Sequence, residues 1–117
     1  MTDQAPVLHY YRLVDAGDFG ALAALFTPAA VYRRPGYPDL AGRTAIEHFY
    51  RHERLIHHGE HTLQSVLHDG PRYAVHGRFD GVLRDGTTVS IEFADFFTVD
   101  GDGGFVSRTT FFFTPLV

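Results

Sequence analysis

The stretch SIEFADFFTV, residues 90–99, sets an acid in the middle of an apolar alternation. Val89, Ile91, Phe93 and Phe97 share one parity, and a strand sends alternate side chains to the same face. Asp95 has that parity, so it is expected to point where the phenylalanines point. The other parity is mostly polar (Thr88, Ser90, Glu92, Thr98), with Ala94 and Phe96 among it. A carboxyl group on an apolar face is costly unless it is paired, hydrogen-bonded or protonated. Either Asp95 has such a role, or a β-bulge turns it to water.

Strands are expected around this one, at about 61–68, 72–83, 88–100 and 105–113. Arg84-Asp85-Gly86 and the run DGDGG at 100–104 supply hairpin turns, being rich in residues that accept positive φ. The first half reads differently. Val7, Tyr10, Tyr11 and Val14 fall on one face of a helix from Pro6 to about Ala16, which Gly17 ends. Asp18 can cap a second short helix with Phe19, Leu22, Leu25 and Phe26 as its stripe, and Pro28 stops it. A short strand at 30–34 leads into a loop broken by Pro35 and Pro38. The pair Thr44 and Glu47 forms a capping box for a third helix. That helix is expected to carry Ile46, Phe49, Tyr50 and Glu53 on one side and to reach about His58, with Gly59 as its stop. Helices first and long strands afterwards mean an α+β layout, with three helices on one face of a curved, mostly antiparallel sheet.

The length, 117 residues, suits one domain over 1–117 with a core of its own. Hydrophobic residues at 44% and aromatics at 15% exclude a disordered chain. No cysteine is present, which rules out disulfides and thiolate metal sites. The net charge of -4 and the scattered arginines give no nucleic-acid footprint. No apolar run reaches membrane length, and the polar start lacks a signal segment, so a cytoplasmic protein is expected. His48 and His52 are four apart, a spacing that can hold a metal, yet no carboxylate partner completes the set and no metal is expected. Phe111, Phe112 and Phe113 put aromatics on both faces of the last strand, which predicts a homodimer through the sheet.

The segments YYRLVDAGDFGALAALF (10–26), AGRTAIEHFY (41–50) and FADFFTVDG (93–101) resemble the nuclear transport factor 2-like superfamily, and within it ketosteroid isomerases and SnoaL-like proteins. The resemblance implies a cone with an internal pocket, no cofactor and a small apolar ligand. It implies further that Tyr10 and a protonated Asp95 form an oxyanion hole, with Tyr50 supporting Tyr10. Ketosteroid isomerase is the standard case of such an acid, kept neutral by its apolar site. The isomerase base position falls on Arg33, which cannot take a proton, so Arg33 or Arg34 is expected to bind an anionic group instead. GRFDG at 77–81 resembles the Arg-x-Asp of limonene-type epoxide hydrolases, which would place Arg78 and Asp80 in the pocket, although Thr110 stands where those enzymes have a second aspartate. Composition alone places Arg78 and Asp80 on the wet face, with Tyr73, Val75, Phe79 and Leu83 on the other. Phe49, Phe93, Phe97, Arg108, Thr110 and Phe112 are expected to line the pocket. His57, His58 or His61 at its mouth could supply the missing base. The expected function is acid/base isomerisation, cyclisation, dehydration or epoxide opening of an apolar oxygenated metabolite. The alternatives are a non-catalytic binder or interaction dimer, and a structural dimer whose cavity is filled.

Overall fold

A computed structural model describes residues 5–114. Helices α1 (Ala5–Ala16) and α2 (Phe19–Ala24) come first, and the Asp18 side chain accepts from the Ala21 amide to cap α2. Strand β1 (Phe26–Arg33) and the short β2 (Leu40–Ala41) follow, then helix α3 (Arg43–His48) with a π-helical turn, Phe49–Glu53. Four strands complete the chain: β3 (Ile56–Asp69), β4 (Arg72–Leu83), β5 (Thr88–Val99) and β6 (Phe105–Phe113). They form one sheet in the order β2-β1-β6-β5-β4-β3, antiparallel except for the parallel pair β1 and β6.

Asp95 is fully buried on the face of Phe93 and Phe97, as the alternation requires, while Phe96 faces outward. The core lies between this inner face and the helices. Val7, Tyr10, Tyr11 and Val14 of α1 meet Leu22, Ile46, Phe49, Tyr50, Phe93, Phe97 and Phe105 there. Phe96, Phe111 and Phe113 stand exposed on the outer face. Among the described residues no helix is long and apolar enough to cross a membrane.

The third helix departs from expectation. It starts on Gly42, whose φ of 96° is open to glycine, and the Thr44 side chain makes no capping bond. It ends early because the turn after His48 widens: the Arg54 amide bonds the Phe49 carbonyl, five residues back, at 2.8 Å. Arg54 is already extended, so His57, His58 and Gly59 belong to β3 and not to a helix end. The widened turn has a structural result. It buries the consecutive Phe49 and Tyr50 and delivers Arg54 into the interior.

Gly59 is a strand residue paired with Gly81. A Cβ at Gly81 would come within 2.6 Å of the His58 carbonyl, and one at Gly59 within 2.7 Å of the Asp80 carbonyl. Both would also strike the Phe79 ring, which folds over the pair. Register shifts at Ile56/His58 and Leu63/Ser65 bend β3 near this point. The bent strand leaves room beneath the helices.

Candidate functional site

That room is a cavity of about 480 Å³. Its size is that of a small-molecule pocket. Pro35, Gly36 and Leu55 are exposed at the rim, whereas Tyr50, Arg108 and Thr110 are buried at its base. Ile91, Phe93, Phe79 and Phe112 supply apolar wall.

The polar end is a directed chain of hydrogen bonds around Arg108. Arg108 Nη2 donates to Asp95 Oδ2 at 2.8 Å, and its Nη1 donates to the hydroxyls of Tyr50, at 2.8 Å, and of Tyr10. Asp95 also accepts from Tyr11 on Oδ2 and from Thr110 on Oδ1. The Thr110 hydroxyl is spent on Asp95, so the Tyr32 hydroxyl, 3.3 Å away, donates to Thr110, and Arg34 Nη1 donates to Tyr32 at 3.2 Å. The Tyr10 and Tyr50 hydroxyls bond each other. Arg108 donates to both, and either hydroxyl can donate in the bond between them; Tyr50 borders the cavity and Tyr10 does not, so in the arrangement where Tyr10 donates to Tyr50 the Tyr50 proton is left for the cavity. Burial raises the Tyr50 pKa above its ordinary value, with Arg108 opposing, so the phenol stays a neutral donor. Burial opposes the Arg108 charge too, but Asp95 and the surrounding phenols outweigh it and hold the guanidinium well above its ordinary pKa.

His61 borders the same cavity. Asp15, at the end of α1, grips it twice: Oδ2 accepts from the His61 amide at 2.9 Å and Oδ1 meets Nδ1 at 2.6 Å. A carboxylate on Nδ1 fixes the proton there and leaves Nε2 as the basic nitrogen. The ring packs against Phe79 at 4.8 Å and Phe93 at 5.5 Å. Burial lowers the His61 pKa, and the Asp15 bond counters it only in part, so the imidazole is neutral at pH 7.

The expected residues divide. Tyr50, Phe93, Arg108, Thr110 and Phe112 line the cavity. Tyr10, Phe49, Phe97 and Asp95 are buried one layer behind it. The geometry differs from the oxyanion hole expected of Tyr10 and Asp95: neither borders the cavity, Arg108 bonds both, and Asp95 accepts from Arg108 and Tyr11 on Oδ2 and from Thr110 on Oδ1. Arg33 also differs from expectation. Its side chain is 65% exposed and meets Asp39 at 3.3 Å, while Arg34, one residue on, turns inward. Arg78 and Asp80 pair with each other at 3.1 Å on the exposed face, outside the cavity, as composition indicated and the epoxide hydrolase resemblance did not. Among the described residues no three histidine or acidic side chains converge on a metal position.

Sequence reasoning did not single out Arg54, Tyr11, Tyr32 or Asp15 for the site. Tyr11 had a signal, since it shares the helix face of Tyr10 and Val14. Arg54 had none, because a π-helical turn breaks the periodicity that would have aimed it.

Residues 7–108 match the SnoaL-like domain family. No curated protein sequence matches. Among solved structures, the chain is similar to SalBIII, described as an epoxide hydrolase/cyclase-like enzyme in pyran ring formation in the polyether salinomycin, with 23% identity, a TM-score of 0.83, and 95% of this chain and 90% of that one covered. It is also similar to a hypothetical protein with a ketosteroid isomerase-like protein fold from Catenulispora acidiphila DSM 44928, in complex with trimethylamine (17% identity, TM-score 0.82, 94% and 86% covered). An NTF2-like protein of unknown function from Exiguobacterium sp. 255-15 is a third (19% identity, TM-score 0.81, 94% and 99% covered). The layout of three helices on a curved sheet is thus the NTF2-like fold.

Proposed function

The chain belongs to the SnoaL-like domain family, and from that premise we propose that it is an acid/base enzyme acting on an apolar carbonyl metabolite. The observation that carries this reading is His61, held by Asp15 at 2.6 Å on the wall of a cavity whose base offers the Tyr50 hydroxyl. The His61 Nε2 takes a proton from the carbon beside the substrate carbonyl. The carbonyl oxygen becomes an enolate and receives the Tyr50 hydrogen bond. Arg108, donating to the Tyr50 oxygen, makes that phenol a better donor as negative charge develops. Asp15 stabilises the imidazolium, which returns the proton at another carbon or to a leaving hydroxyl. Isomerisation, cyclisation and dehydration share this step. Tyr10 and Asp95 act as positioning residues, fixing Arg108 and through it Tyr50.

The test is deuterium incorporation beside the carbonyl of 2-tetralone, a neutral bicyclic ketone, followed by NMR in D2O. Wild type is expected to accelerate exchange, and His61→Gln and Tyr50→Phe to slow it, the first by about 10²- to 10⁴-fold as for loss of a general base. A ketone that binds without exchanging, or exchange indifferent to His61→Gln, would leave the non-catalytic binder as the reading. We further propose that the outer face of the sheet pairs with a second copy, covering Phe96, Phe111 and Phe113.

A further inference from the structure

Proton transfer from a neutral ketone leaves two cavity arginines without employment. Arg54 is 6% exposed, and its side chain has no hydrogen-bond or ion-pair partner among the described residues; its Nε is buried and unpaired. The guanidinium lies over the Tyr50 ring at 5.4 Å, which supplies a π face but no acceptor. Arg34 sits in an aromatic cage, 4.9 Å from Phe49, 5.4 Å from Tyr37 and 5.5 Å from Phe112, and its Nε is unpaired as well. It spends one Nη1 bond on Tyr32. Among the described residues neither arginine has a carboxylate partner, whereas Arg108 has Asp95. Among the described residues, three guanidiniums and one imidazole border the cavity, and no acidic side chain does. Burial and the nearby Arg34 both press the Arg54 pKa downward.

A buried charge without a counter-ion is an expensive arrangement. It costs least when an anion arrives to complete it. Guanidiniums stacked on rings keep their N–H edges free, and such edges suit a planar carboxylate held bidentately. We propose that the cavity takes an organic anion, with a carboxylate seated on Arg34 and Arg54 and its carbon skeleton against Phe93, Phe112 and Ile91. This rests on the cavity being the ligand site proposed above and adds the substrate class: a carboxylate-bearing apolar ketone or enone. The carboxylate is the handle at the arginines, and the carbonyl is the reacting end at Tyr50.

The experiment is calorimetric titration of 2-naphthoate and of its uncharged isostere 2-naphthamide into wild type, Arg34→Gln and Arg54→Gln. Wild type is expected to bind naphthoate at least about tenfold more tightly than naphthamide, and each substitution to remove most of that preference while leaving naphthamide binding in place. Arg54→Gln without ligand is expected to melt no lower than wild type, because it removes an uncompensated buried charge; that melt also shows that the variant folds. Equal binding of the two compounds would overturn the anion while leaving the cavity as a ligand site. A naphthoate preference that survives both substitutions would overturn the assignment to Arg34 and Arg54. Binding of neither compound would overturn the inference together with the ligand-site reading.

Discussion

Asp95→Asn tests the polar base of the cavity with the smallest change of shape. Asp95 is fully buried and Arg108 is 5% exposed, with 2.8 Å between Arg108 Nη2 and Asp95 Oδ2. Asparagine can keep most of the bonds. Its carbonyl oxygen accepts from Arg108 and Tyr11 in place of Oδ2, and its amide donates to the Thr110 oxygen, whose own proton is then released. What is lost is the charge. Breaking a buried pair from one side costs about 3–5 kcal/mol, and the bonds kept place this variant near 3 kcal/mol. For a chain of this length each kcal/mol is roughly 4 °C, so a fall of about 12 °C in Tm is expected by circular dichroism. Arg108→Gln leaves Asp95 uncompensated and should cost a similar amount. In the double variant Asp95→Asn/Arg108→Gln the charges go together, and its loss should fall short of the sum of the single losses by about 1–3 kcal/mol. A loss under about 1 kcal/mol for Asp95→Asn, or additive losses in the cycle, would mean that water in the cavity supports Arg108 unaided. The ion pair would then not be what holds the Tyr10–Tyr50 chain in place.

Two further outcomes are expected. His61 has a native pKa below its unfolded value of about 6.5, so the unfolded chain takes up a proton that the native chain refuses as the pH falls through this window. Stability therefore drops from about pH 6.5 toward the lowered native pKa, and His61→Gln should flatten that part of a plot of urea midpoint against pH; a slope unchanged by the substitution would contradict a neutral buried imidazole. The proposed pairing of two copies predicts twice the chain mass in sedimentation equilibrium, reduced to one by Phe111→Asp on the exposed face, and a wild type that stays monomeric at high concentration would refute it.

Elements whose periodicity is regular were legible. The bounds of β4 and β6 follow from alternation, and Asp95 faces inward because the parity of Val89, Ile91, Phe93 and Phe97 demands it. The third helix was not legible past His48. Thr44 and Glu47 suggest a cap that the backbone at Gly42 replaces, and no residue pattern announces a turn closed five residues apart. That miss hid Arg54, and it left His57, His58 and His61 unaimed until the strand register fixed them. The choice between Arg33 and Arg34 is a question of one residue of register on a short strand beside a parallel neighbour, which composition does not resolve.

The burial of Asp95 has a cause in its neighbour on β6. Asp95 and Thr110 are register partners, and Arg108 faces the same way two residues before Thr110. An acid on the inner face of β5 therefore meets the guanidinium and the hydroxyl that satisfy it within one strand spacing. The pair can then hold a cation beneath four tyrosines. Arg108 approaches the rings of Tyr32 at 4.6 Å and Tyr10 at 4.8 Å, and its Nη1 donates to the Tyr10 and Tyr50 hydroxyls together, of which Tyr50 borders the cavity. The acid thus contributes one layer below the surface that a ligand would touch. Its replacement should reach the chemistry only through Arg108 and Tyr50, so Asp95→Asn is expected to weaken exchange of 2-tetralone less than Tyr50→Phe does.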